Sequence, residues 1–283
     1  MNLLQQQLEA RLATVQAAAP VLEGRLLLAD LPPQTQAVPT ADLLDPTRLR
    51  PMLEMTAAHF HVTDLRVAAT VVNRAYSAAT LIGTLVALAV GGVALDASLS
   101  NTQLVLRDGF PHGLLIQRLE SATIYQPRFG PALPPGVAHA PDLAALHRAF
   151  YATAIDQHLA PHMAALRQVA RLGSAVMWGN VGTICNGVYQ AMQRFPPLAQ
   201  AAHEDRGLIF GPTGPSLAGP GPLARTMRSV SVEAPGHPEQ FAVRTTCCVL
   251  YKLPTRSYCL DCPKLAPEER MARQHQLDAA AHE

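Results

Sequence analysis

Charge is scarce in this chain. Asp, Glu, Lys and Arg make up only 15% of its 283 residues, 22 basic against 21 acidic, for a net charge of +1. So even a balance supplies no long-range field to gather nucleic acid or an anionic membrane surface, which argues against both as main partners. Cysteine is also sparse: five residues, one alone at Cys185 and four crowded near the C-terminus, are too few and too uneven for a secreted disulfide scaffold. No glycine fingerprint for a dinucleotide follows an early strand, and the glycines from Gly207 to Gly221 lack the Lys-Ser/Thr ending of a phosphate loop, so neither NAD nor flavin is expected. There is no internal repeat, and no secretory core opens the chain. Leu4, Leu8, Leu12 and Val15, with Glu9 and Arg11 among them, instead have the spacing of an amphipathic helix, and a cytoplasmic location is expected.

Hydrophobic residues, by contrast, reach 49%, ample for a core, while 24 prolines and 18 glycines punctuate the chain into elements of ordinary length. One charge-free run, Tyr76 to Leu95, is long enough to cross a bilayer. Gly83, Gly91 and Gly92, the alanines and the absence of a second such run favour a buried core helix. A helical region from Val62 to Leu95, interrupted near those glycines, is expected.

Strand chemistry is clearest at Gln103 to Leu106 and Leu114 to Leu119, joined through Asp108-Gly109, with Ala122 to Tyr125 as a third strand of a meander. Pro32 to Pro39 and Pro127 to Pro141 read as proline-marked connections, and Gly207 to Pro222 as a loop. Ser174 to Phe195 reads as a helix, Arg228 to Val232 and Phe241 to Val249 as strands, and Pro267-Glu268-Glu269 as the start of a last helix. The expected fold is α+β: mostly helical, with a small antiparallel sheet and a cysteine-rich metal-binding segment at about 241–265. Two regions are anticipated, 1–126 with the hairpin and 127–283 with the cysteines.

Cys247, Cys248, Cys259 and Cys262 form the pattern C-C-x10-C-x2-C. Four soft thiolates in one short segment suit a [2Fe-2S] cluster or a structural zinc ion. A zinc ribbon normally uses two separated C-x2-C knuckles, and paired disulfides are unusual in a reducing compartment, so the iron-sulfur reading is preferred with zinc as the alternative. Successive residues of a regular strand point to opposite faces, so Cys247 and Cys248 can both be ligands only at a bend or strand end. Cys185 reads as a small buried hydrophobe. His158 and His162 have the spacing of two metal ligands on a helix, but Pro161 between them favours a helix-end pair. Gly214-Pro215-Ser216-Leu217-Ala218 lacks the strand-turn-helix context of a nucleophile elbow.

The string Arg244 … Cys247-Cys248-Val249-Leu250-Tyr251-Lys252-Leu253-Pro254 … Cys259-Leu260-Asp261-Cys262-Pro263 resembles the C-terminal signature of the FhuF-type ferric siderophore reductases. Trp178-Gly179-Asn180 resembles a W-G-N motif of the same family, and the tail after Pro263 is longer than is usual there. The resemblance implies a [2Fe-2S] cofactor on the four cysteines, a ferric siderophore as substrate and an external electron donor. It also implies reduction of iron(III) to iron(II) for release in the cytoplasm. The non-redox alternative is a zinc-stapled siderophore-binding or interaction protein. Arg244, Lys252, Arg256 and Lys264 surround the cysteines against the single acid Asp261. Arg244, Lys252 and Arg256 are candidates for a basic rim that receives an anionic chelate, and Trp178 for a substrate contact.

Overall fold

In the computed structural model, helix α1 (Leu3–Ala18) buries Leu4, Leu8, Leu12 and Val15, the stripe its spacing predicts. The structure describes all residues except 1–2, 19–24, 29–30, 32–34, 212–220, 234–238 and 281–283, so the Gly214 to Ala218 stretch lies outside the described residues. Strands β1 (Leu26–Leu28) and β2 (Gln36–Pro39) follow, then α2 (Pro46–His59), capped by Asp45, whose carboxylate accepts from the Thr47 amide at 2.8 Å. Part of the expected Pro32 to Pro39 connection is therefore a strand.

Helix α3 (Leu65–Gly91) is the axis of the molecule. It runs unbroken through Gly83 and ends only where Gly92 takes the left-handed conformation, φ 61°. Gly83 does not break the helix because its role is contact: a Cβ there would lie 2.3 Å from the Cβ of Leu26 on β1. The most apolar window of α3 is 72% buried inside the fold, the burial of a core helix.

After β3 (Val93–Ala94), strands β4 (Thr102–Arg107) and β5 (Phe110–Ile116) form the expected hairpin, turning through Asp108 and Gly109, both at positive φ. The sheet order is β1-β5-β4-β2, with β1 added in parallel. Strand β6 (Thr123–Ile124) does not extend this meander; it pairs with β3 and with β7 (Ala138–His139). A short helix α4 (Gln126–Phe129) and strand β7 occupy the expected linker.

Helix α5 (Leu143–Phe150) continues through wide π-type turns, Tyr151–Leu159, into α6 (Ala160–Ala170). Pro161 lacks an N–H and crowds the carbonyl four residues back, which accounts for the loosened turn before it. His158 and His162 are accordingly no helix-end pair: both are fully buried in this continuous run, His158 between the Tyr76 hydroxyl at 2.7 Å and the Ala97 carbonyl at 2.6 Å, His162 stacked on Tyr76. Both His158 ring nitrogens are engaged, which removes it as a metal ligand.

Helix α7 (Ser174–Gln193) lies along α3, and α8 (Pro196–Phe210) fills the start of the expected Gly207 loop. One hydrophobic core gathers side chains from Leu4 to Leu223. The hairpin of β8 (Met227–Val232) and β9 (Glu239–Arg244) carries a small second cluster of Val232, Phe241 and Val243, against which Met271 of α9 (Pro267–Ala280) packs. The architecture is α+β and mainly helical.

Candidate metal centre

Strand β9 stops at Arg244, three residues before the first clustered cysteine. Thr245 closes the strand end, its amide donating to the Thr226 carbonyl at 2.9 Å and its hydroxyl to the Arg225 carbonyl at 2.8 Å. Cys247 and Cys248 therefore lie outside regular strand, as two adjacent ligands require. The Thr70 hydroxyl of α3 holds the Cys248 carbonyl at 2.9 Å. Val249 then takes φ 59°, an uncommon conformation for a β-branched residue, and its amide faces the Cys247 sulfur at 3.5 Å. This bend turns the chain away before it returns as the Cys259–Cys262 knuckle, closed by the Cys262 amide on the Cys259 carbonyl at 2.9 Å.

Three elements hold the knuckle. The Arg244 amide donates to the Asp261 carbonyl at 2.9 Å, and Thr183 of α7 donates its hydroxyl to the Asp261 carboxylate at 2.8 Å. Arg270 of α9, only 3% exposed, donates to the carbonyls of Leu260, of Cys262 at 2.9 Å and of Leu265 at 3.2 Å. Arg273 reaches the Tyr258 carbonyl. The long tail is thus a brace for the cysteine loop.

All five cysteines are free thiols. The Cys248 and Cys259 sulfurs stand 3.7 Å apart, which matches two thiolates sharing a tetrahedral metal ion, about 3.8 Å for metal–sulfur bonds of about 2.3 Å. Cys248 is drawn down to about 6 by the hydrogen bond from Cys259, helped by the Leu250 amide and the Arg244 charge, while Cys259 is pushed up by that same bond. Burial, then the nearness of Cys247 and Cys248, raises Cys262. Cys248 and Cys262 are buried, and Cys247 and Cys259 are half-buried. Among the described residues no three His, Cys, Asp or Glu side chains are gathered closely enough to hold a metal ion as they stand. Cys185 belongs to the main core, where burial pushes its thiol up to about 12.

Arg244 is not part of any rim. It is fully buried, with Nη2 donating to the Asn180 side-chain oxygen at 2.7 Å and, among the described residues, with Nε and Nη1 lacking a partner. Among the described residues it forms no ion pair. A buried charge is normally matched: the carboxylate of Asp205, equally buried, meets Arg128 at 2.7 Å and His147 at 2.8 Å. The cation whose field reaches Cys248 has no such match, and its two orphaned donors fit an anionic group held on the cysteines. Trp178 is half-buried and packs on the main core, while its neighbours Gly179 and Asn180 face Arg244.

Lys252 and Arg256 are exposed, Lys252 lying 3.8 Å from Asp64. Lys264 sits over the Tyr251 ring at 5.0 Å, and Tyr251 lies 5.0 Å from Tyr258. Beside the loop is a cavity of about 200 Å³ lined by Arg66, Arg171, Lys252 and Val249, with Asp64 as its one acid. Sequence reasoning missed Arg66 and Arg171, which are remote in the chain, and Arg270, whose helical tail had no assigned role.

Residues 73–246 match the family model described as ferric iron reductase FhuF-like transporter, a match that stops one residue short of Cys247. No curated protein matches the chain. Among solved structures, the ATP-bound aerobactin synthetase IucA of Klebsiella pneumoniae is similar over 74% of this chain and 43% of its own, at 17% identity and TM-score 0.56. The aerobactin synthetase IucC of the same organism matches over 75% and 44%, at 14% identity and TM-score 0.56. The petrobactin biosynthesis protein AsbB of Bacillus anthracis matches over 72% and 40%, at 12% and 0.55. The chain spans about two-fifths of the length of these structures, and at such identities the likeness is one of fold.

Proposed function

The chain belongs to the ferric iron reductase FhuF-like family, and from that premise we propose that it is a ferric siderophore reductase holding a [2Fe-2S] cluster on Cys247, Cys248, Cys259 and Cys262. The observation that carries this reading is a loop of four free thiols, two of them, Cys248 and Cys259, with sulfurs 3.7 Å apart, next to a buried arginine that has no acid partner among the described residues. Such a cluster, when bound, supplies one electron, taken from an external donor and passed to iron(III) in the chelate. Iron(II) is a softer, less charged ion that oxygen donors hold far less tightly, so reduction serves as release.

The chain's own residues supply the setting. Thr70, Thr183 and Arg270 fix the loop by its backbone and by Asp261. The half-buried Cys247 and Cys259 keep the centre close to the surface, a requirement for exchange with a docked partner. Arg171 and Lys252 at the mouth of the small cavity, where Arg66 is already paired with Asp64 at 2.8 Å, give an anionic ferric chelate a surface to dock against next to Val249, which directly follows Cys248. Similarity to synthetases named for aerobactin and petrobactin biosynthesis is in keeping with a siderophore-handling fold.

The test is spectroscopic and kinetic. The purified protein is expected to be red-brown, to bleach with dithionite, and to recover its colour with one equivalent of a ferric siderophore. Serine at 247, 248, 259 or 262 should abolish or alter the visible and EPR signals, and Cys185→Ser should not. A colourless, zinc-loaded protein would establish the non-redox alternative, and an iron-sulfur protein that no ferric siderophore reoxidises would sink the reductase assignment.

A further inference from the structure

We infer that Arg244, placed by Gly179 and Asn180 of α7, is the internal countercharge of the cysteine centre and sets its reduction potential; the inference rests on the iron-sulfur reading above. The tryptophan-glycine-asparagine segment thereby acquires a physical role. Gly179 supplies space: a Cβ there would stand 3.0 Å from the Arg244 Nη2. Asn180 supplies direction. Its oxygen accepts from Nη2 at 2.7 Å, and its amide nitrogen is held by the Asn73 oxygen at 2.8 Å and the Thr70 hydroxyl at 3.1 Å. Thr70 in turn donates to the Cys248 carbonyl, so one buried polar chain links α3, α7 and the first ligand pair.

The charge balance gives this network its consequence. A [2Fe-2S] centre on four thiolates is anionic and gains a further negative charge on reduction. A cation fixed in a buried, poorly screened position therefore favours the reduced form over the oxidised one. Among the described residues, the guanidinium nitrogens Nε and Nη1 are donors without an acceptor. A cluster on the cysteine loop, to which Arg244 is tied by its amide on the Asp261 carbonyl at 2.9 Å, would bring the negative charge that this cation lacks. Lys252 and Arg256, being exposed, are screened by salt and affect the potential less.

Redox titration of the full chain, wild type against Arg244→Gln, Arg244→Lys, Asn180→Ala and the surface control Lys252→Gln, tests the proposal. Arg244→Gln should lower the equilibrium constant for electron uptake at least tenfold, about 59 mV for one electron, at both low and high salt. Arg244→Lys should retain part of the potential. Asn180→Ala, which keeps the cation but frees its head group, should fall between wild type and Arg244→Gln. Equal potentials for Arg244→Gln and Lys252→Gln would overturn the inference while leaving the cluster in place. If Arg244→Gln assembles no cluster, Asn180→Ala decides, and a wild-type potential there overturns it. Absence of any cluster in the wild-type protein would instead overturn the iron-sulfur reading.

Discussion

Replacing Arg270 by alanine tests whether the tail helix holds the cysteine knuckle closed. The side chain donates to three main-chain carbonyls, those of Leu260, Cys262 and Leu265, and its guanidinium lies 6.0 Å from the centre of the Phe241 ring. A hydrogen bond to a charged group contributes about 1.5–3 kcal/mol, against which stands the cost of keeping that charge out of water, so the net loss is about 3 kcal/mol. This loss is local, because the carbonyls belong to the knuckle and not to the main core. It corresponds to an increase on the order of 100-fold in the open population of that loop. Cys262 is 1% exposed and reacts with a thiol reagent only when the loop opens. In metal-free protein its labelling rate, resolved by mass spectrometry, should rise by that factor in Arg270→Ala, while Cys185 in the main core serves as the unreactive reference. Labelling of Cys262 within threefold of wild type would refute the brace.

Acid should destabilise the fold through the buried histidines. Burial lowers His158 to about 4 and His162 to about 3, the latter with help from His158. The unfolded chain binds these protons near pH 6.5, so stability is full above that value and falls as pH drops toward 4 for His158 and 3 for His162. At pH 5 the loss is roughly 2 kcal/mol per histidine, and urea unfolding at pH 7 and 5 should show a shallower pH slope in His158→Gln. Gly83→Ala forces a Cβ to within 2.3 Å of the Leu26 Cβ, so unfolding should shift by at least about 1–3 kcal/mol; an unchanged midpoint would show that β1 is not packed on α3. Lys252→Glu should slow reduction of an anionic ferric chelate more than of a cationic one, and 1 M salt should erase the difference; equal slowing for both charges would remove the cavity as the docking site.

Local chemistry made much of this protein legible from its residues in order. The stripe at Leu4, Leu8, Leu12 and Val15, the Asp108-Gly109 turn and the need for a bend at Cys247-Cys248 all depend on neighbours a few positions away, and the folded chain has all three. Pairing and burial depend on distant residues. Nothing near Thr123 indicates that it joins Ala94 and Ala138 in place of the hairpin, or that β1 adds in parallel. Arg244 shows the difference most clearly. Its closeness in sequence to the cysteines suggested a cation facing an incoming chelate, but strand β9 carries it inward under α7. Proximity to the cysteines was set by the sequence; whether that charge faces solvent or the interior was set by packing, because Gly179 leaves the space and Asn180 provides the acceptor.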